Sequence, residues 1–101
     1  MHKVEVKQVH IDRGKPKCAT GCPIYEAIKE SGIKEKVHVG GSVITINVDE
    51  GKEYLDVDEY ILDMNSVVQK WVEDFDLRGK DAVYPFTLHL DFENGVIETY
   101  T

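Results

Sequence analysis

The chain has no apolar run near the ~18–20 residues that a membrane-spanning helix needs, and no signal peptide is recognisable at its start. It has only two cysteines, Cys18 and Cys22, too few to staple a secreted mini-protein. The expected location is therefore a reducing cytoplasm. Basic residues are scarce: 12 Lys and Arg stand against 19 Asp and Glu, a net charge of −7, which excludes a general duplex-DNA binder. No G-x-x-x-x-G-K-[ST] or G-x-G-x-x-G stretch occurs, and no calcium-loop pattern. No internal repeat or linker is visible. The 101 residues read as a single domain spanning 1–101, and their 42 % hydrophobic content is too high for a disordered chain.

What is present is unevenly distributed. Residues 1–38 carry a charge of +3 and residues 39–101 a charge of −10. Residues 3–7 alternate as a strand with Val4 and Val6 on one face. Val9 and Ile11 fall out of that phase, so a bulge near Gln8 is expected. Asp12-Arg13-Gly14 marks a turn. Pro23 sits in the first-turn slot of a helix over 23–31, which makes Cys22 its N-cap. Ile24, Ala27 and Ile28 form the apolar stripe, and Gly32 the stop.

Lys36–Val39 and Val43–Val48 read as strands joined at Gly40-Gly41, and 52–55 as a short strand. Asp56 and Glu59 form a capping box for a second helix. Its stripe is Ile61, Met64, Val68, Trp71, Val72 and Phe75, with Lys70 and Asp74 paired on its wet side. Residues 86–93 alternate as a half-buried strand, Asn94-Gly95 signals a type I′ hairpin, and 96–101 returns. The expected fold is α+β in the order βαβββαββ, a single mainly antiparallel sheet with two helices packed on one face.

Two surfaces are candidate sites. The first is the loop of Arg13, Lys15, Lys17, Thr20, Gly21 and Cys22. It places two ammonium groups just before a helix N-terminus, whose amides at Cys22–Ile24 and partial positive charge suit a carboxylate or phosphate. The bland alternative is a solvated lysine loop. The second is the acidic set Asp49, Glu50, Glu53, Asp56, Asp58, Glu59 and Asp63, continued by Glu73, Asp74 and Asp76. It suits docking in a basic groove of a partner protein by mimicking nucleic-acid phosphates, or simply solubilises the chain.

Cys18 and Cys22 are spaced C-x3-C, neither the redox C-x-x-C nor a zinc knuckle with a second pair. A metal, a disulfide and two plain thiols stay open, and no metal or cofactor is assigned. Helix N-capping should lower the Cys22 pKa, but no base can be placed beside it, so no catalytic residue is assigned and a Cys22-based activity is the exception. The strand histidines His38 and His89 could meet across the sheet and line a pocket. A chain this small has little interior to give, so a homo-oligomer would supply a shared pocket.

Ile11-Asp12-Arg13-Gly14, the run Cys22-Pro23-Ile24-Tyr25-Glu26-Ala27-Ile28, and Phe75-Asp76 through Pro85-Phe86-Thr87-Leu88-His89-Leu90 together follow a pattern. It resembles that of a group of short proteins of phages, prophages and some bacterial genomes: I-D-x-G, C-P-[IV]-x-x-A-[IL] and F-D-x-G…P-F-x-[FL]-x-L. Leu77-Arg78-Gly79 departs from it, the group having glycine sooner. The group brings no activity to transfer. The resemblance implies a small accessory protein acting in the cytoplasm of a bacterial host cell, of a kind that counters a host defence; with no catalytic residue assigned, the expectation is a non-enzymatic binder. It would do so by capturing an anionic small molecule such as a signalling nucleotide or, alternatively, by docking on a defence protein.

Overall fold

The structure is a computed structural model and describes residues 2–18, 20–33, 35–48 and 58–100. It is α+β. The elements are β1 (His2–Val6), α1 (Gln8–Arg13), α2 (Pro23–Glu30), β2 (Lys36–Val39), β3 (Val43–Val48), β4 (Asp58–Met64), α3 (Ser66–Arg78), a 3-10 turn (Lys80–Ala82), β5 (Phe86–Asp91) and β6 (Val96–Tyr100). The six strands form one sheet in the order β1-β5-β6-β4-β3-β2. Four neighbouring pairs are antiparallel and β4–β6 is parallel, so the sheet is mixed. The parallel pair follows from the crossover: α3 carries the chain from β4 to β5, and the hairpin then folds β6 back beside β4.

Register shows why one face is covered. Val4 lies opposite Leu88, Leu90 opposite Ile97, Met64 beside Ile97, Ile44 opposite Leu62 and Ile46 opposite Val37. All are buried, and all join one core with Ile24, Ala27 and Ile28 of α2 and Val68, Trp71, Val72 and Phe75 of α3. Both long helices therefore lie on the same face of the sheet. The opposite face carries Lys3, Glu5, Ile61 and Asp63 and has no covering layer among the described residues. No described helix is long and apolar enough to cross a membrane.

Three expectations need correction. The phase slip after Val6 is not a bulge. The chain changes period there, from strand to the short helix α1, so Ile11 is buried while Val9 stays exposed. The helix expected from the Asp56/Glu59 capping box begins later. Asp58–Met64 is a strand, and Asn65 caps α3, its Oδ1 accepting the Val68 N–H at 2.9 Å. Ile61, Met64 and Val68 fit helical spacing, but Tyr60, Leu62 and Met64 fit alternation equally well, and tertiary packing chose between them. Asp56 and the strand expected over 52–55 lie outside the described residues. Asn94-Gly95 is not a two-residue turn. Asp91 pairs with Val96 across a four-residue loop, with Gly95 at φ 66°. The Asp91 carboxylate organises that loop, accepting the Glu93 and Asn94 amides at 3.1 Å each. The expected mainly antiparallel sheet is present, with the parallel pair β4–β6 beside four antiparallel pairs among the described residues.

Candidate functional site

The loop between α1 and α2 is held from three sides. At its neck the Lys15 N–H donates to Gly21 O at 2.8 Å. At its start Gly14 packs against Pro23 so closely that an added Cβ would sit 2.4 Å from Pro23 Cδ, so only glycine fits. At its tip Lys17 adopts a left-handed conformation, φ 57°, and its N–H donates to Asp76 Oδ1 of α3 at 2.8 Å. One carboxylate of the acidic half thus positions the basic loop. Spacing along the chain gave no signal for this contact between residues 59 positions apart.

The helix N-terminus behind the loop is already occupied. Cys22 is the N-cap of α2, as its place before Pro23 predicts, and its Sγ accepts the Tyr25 N–H at 3.4 Å. The Ile24 amide lies near this sulfur and adds to the pull on it. The Cys22 N–H donates to Cys18 O at 3.1 Å, and Pro23 has no N–H to offer. Of the three positions expected to receive an anion, Cys22 therefore has an acceptor within the chain, Pro23 has no N–H, and the Ile24 amide faces the Cys22 sulfur. Burial pushes the Cys22 thiol from 9.0 up to about 11, against the pull of the Tyr25 and Ile24 amides. This reverses the lowering expected of an N-cap cysteine: removal from water outweighs the helix terminus.

The side chains of the set divide. Arg13 faces Glu30, Nη1 to Oε1 3.8 Å. Lys15 and Lys17 have no ion-pair partner among the described residues, and both are exposed, as is Thr20. Gly21 is partly buried under Cys18, whose Sγ would lie 3.0 Å from an added Cβ. Beside Lys17 runs a cleft of about 210 Å³, lined by Cys18 and Cys22, by His38, Gly40 and Gly41 of the β2–β3 hairpin, and by Asp76. It continues into a shallower one of about 380 Å³ along Gln69, Glu73 and Leu77 of α3. Cys18 and Cys22 are free thiols. Among the described residues no group of three His, Cys, Asp or Glu side chains could hold a metal ion.

His38 and His89 do not meet. They lie on β2 and β5, with β6, β4 and β3 between them in the sheet. The acidic set does not form one helical face. Asp49, Glu50, Glu53 and Asp56 lie outside the described residues. Asp58 and Glu59 belong to β4 opposite Val48 and Asn47, and Asp63 is exposed between Val43 and Val96 on the uncovered face. The expected Lys70–Asp74 pair is present at 3.5 Å.

Sequence reasoning missed one polar cluster. His10 is buried in α1. Its Nδ1 accepts the Lys7 N–H at 2.8 Å, which places the ring proton on Nε2, and this donates to the Glu30 carboxylate. That hydrogen bond from His10, aided by Arg13 and Lys7, holds the Glu30 carboxyl below its ordinary value. The only sequence signal was a histidine beside a buried isoleucine in a segment read as a bulged strand. No family model, curated protein or solved structure significantly matches the chain.

Proposed function

We propose that the protein is a non-enzymatic binder of a small anionic ligand of the nucleotide class, received at the loop of Lys15, Lys17 and Thr20. One observation carries this reading. Lys15 and Lys17 are the loop's two ammonium groups without a carboxylate partner among the described residues, while the loop that bears them is tied down at neck and tip. A fixed backbone reduces the ordering cost of binding, and unpaired ammonium groups need not first lose an ion pair. Because the amides at the start of α2 are engaged, side chains hold the ligand. The adjoining cleft offers space for the uncharged part. The resemblance to phage proteins supports a role in an infected bacterial cell, where capture of a signalling nucleotide would blunt a defence.

Calorimetric titration with a panel of cyclic and linear nucleotides tests this. A nucleotide should bind, and the double change Lys15→Ala with Lys17→Ala should weaken it by about a hundredfold, the loss of two charge-assisted contacts. Absence of heat with every nucleotide, or unchanged affinity in the double variant, overturns it.

A second reading is a protein-binding inhibitor whose acidic surface meets a basic partner. It is favoured by the exposure of Asp63 beside Ile61 on the uncovered sheet face. Capture of a basic protein that weakens with salt and with Asp63→Asn would support it; indifference to both would end it.

A further inference from the structure

We infer that Asp76 reads the base of the bound nucleotide and selects guanine. This rests on the nucleotide reading of the Lys15 and Lys17 loop and adds to it which base is taken. Lys17 and Asp76 line both clefts beside that loop, so an ammonium-bearing residue and a carboxylate of α3 border the same space. The Asp76 carboxylate accepts the Lys17 N–H at Oδ1, and its Oδ2 has no hydrogen-bond partner among the described residues. An ionised carboxylate has about four lone-pair sites, so one backbone amide leaves most of its accepting capacity unused. Its charge also reaches Cys22 on the cleft wall, where it helps to keep the thiol protonated. A phosphate laid against Asp76 would be repelled. The phosphates therefore go to Lys15 and Lys17, and the uncharged base to Asp76.

The chemistry of a carboxylate selects the base. When ionised it accepts hydrogen bonds and donates none. Guanine presents two donors side by side, the ring N1–H and the N2 amino group, and these match the two carboxylate oxygens. Hypoxanthine keeps only the N1–H. Adenine has a lone pair at N1, and xanthine has a carbonyl oxygen in place of the amino group, so each sets an acceptor against an acceptor. A site built to pair with a donor rejects the analogue that lacks it. The rest of the cleft suits a flat ring. Val39 and Val72 give it apolar wall and His38 an aromatic side chain. Gly41 of the β2–β3 hairpin leaves its wall bare: an added Cβ there would meet nothing within 4 Å, so a ring can approach the backbone.

The test is calorimetric titration with guanosine, inosine, adenosine and xanthosine triphosphates and with the corresponding cyclic monophosphates. A guanine nucleotide should bind the natural chain about tenfold or more tighter than its hypoxanthine counterpart, which lacks only the amino group, and tighter again than the adenine and xanthine forms. Asp76→Asn keeps one oxygen for the Lys17 N–H and turns the other acceptor into a donor, which suits the xanthine carbonyl. The preference should invert, with guanine weakened and xanthine strengthened by about tenfold each. A residue that only held the loop would, on the same change, weaken every base alike. Equal affinity for the four bases, preference for a base other than guanine, or an Asp76→Asn variant that weakens all bases equally overturns this inference and leaves nucleotide binding at the loop standing. Heat with none of the nucleotides overturns both. The comparison of bases on the natural chain needs no variant, so it decides the matter even where Asp76→Asn fails to fold.

Discussion

His10 and Glu30 join the two ends of the first helical pair: the buried imidazole of α1 donates from Nε2 to the carboxylate at the end of α2. On its other side the same ring accepts the Lys7 N–H, the amide at the N-cap of α1. One side chain thus caps a helix and links it to the next. A protonated imidazole would have a donor at Nδ1 and could not accept that amide.

His10→Ala should therefore destabilise the fold by about 2–4 kcal/mol, from the cavity and the orphaned Lys7 N–H. Glu30→Gln should cost less, because Glu30 is exposed. Its contribution has a definite pH sense. The folded carboxyl titrates below the unfolded one, so its stabilisation is present above the ordinary carboxylate pKa and is lost as pH falls through the lowered folded value. Urea unfolding of the natural chain and of Glu30→Gln across acidic pH should show the two curves converging as pH falls.

Cys22 predicts the opposite slope at alkaline pH. Its thiol is raised to about 11 in the fold, so the stabilisation is complete below 9.0 and is lost as pH rises toward 11. About 2–3 kcal/mol is at stake. Cys22→Ala should flatten that alkaline decline. Under native conditions a thiol reagent should label Cys18, which is only partly buried, well before Cys22. Mass spectrometry of the labelled peptides checks the order.

Adjacent residues 61 and 62 separate strand from helix. Leu62 is 0 % exposed and Ile61 54 % exposed. Leu62→Ala should cost about 2–5 kcal/mol and Ile61→Ala under about 1 kcal/mol. The helix that sequence periodicity suggests here, with Ile61 in its buried stripe, would give Ile61 the larger loss. Denaturant midpoints of the two variants decide it.

The start of α3 can be located in the same way. Asn65→Ala removes the side chain that accepts the Val68 N–H and should cost about 1 kcal/mol, while Asn65→Asp should be nearly neutral. Glu59→Ala, aimed at the capping box that the sequence suggested, should leave the helical signal by circular dichroism unchanged.

Local chemistry was legible. Pro23 after Cys22 placed the start of α2, Gly40-Gly41 placed the β2–β3 hairpin, and the alternation from Phe86 to Leu90 placed β5. These signals act within a few residues, through fixed backbone angles or a strict period. The errors fall where two periods fit one stretch, as at Ile61 to Val68, or where the period changes within a few residues, as from Val6 to Ile11. The loop of Lys15 and Lys17 was visible as a charged stretch before a helix. That its N-terminal amides are already engaged, and that Asp76 holds its tip, required the fold.

By itself the amino-acid sequence determined the class of this protein: an α+β order of strands around two main helices, an apolar face for each helix, and charge split between its halves. Tertiary structure alone decided that β6 lies parallel beside β4, that residues 58–64 are a strand, and that His10 is locked between Lys7 and Glu30. The reason is physical. Propensity, capping and alternation are local energies written into neighbouring residues, whereas strand order, the choice between competing periods and buried polar partners depend on what distant segments place opposite one another.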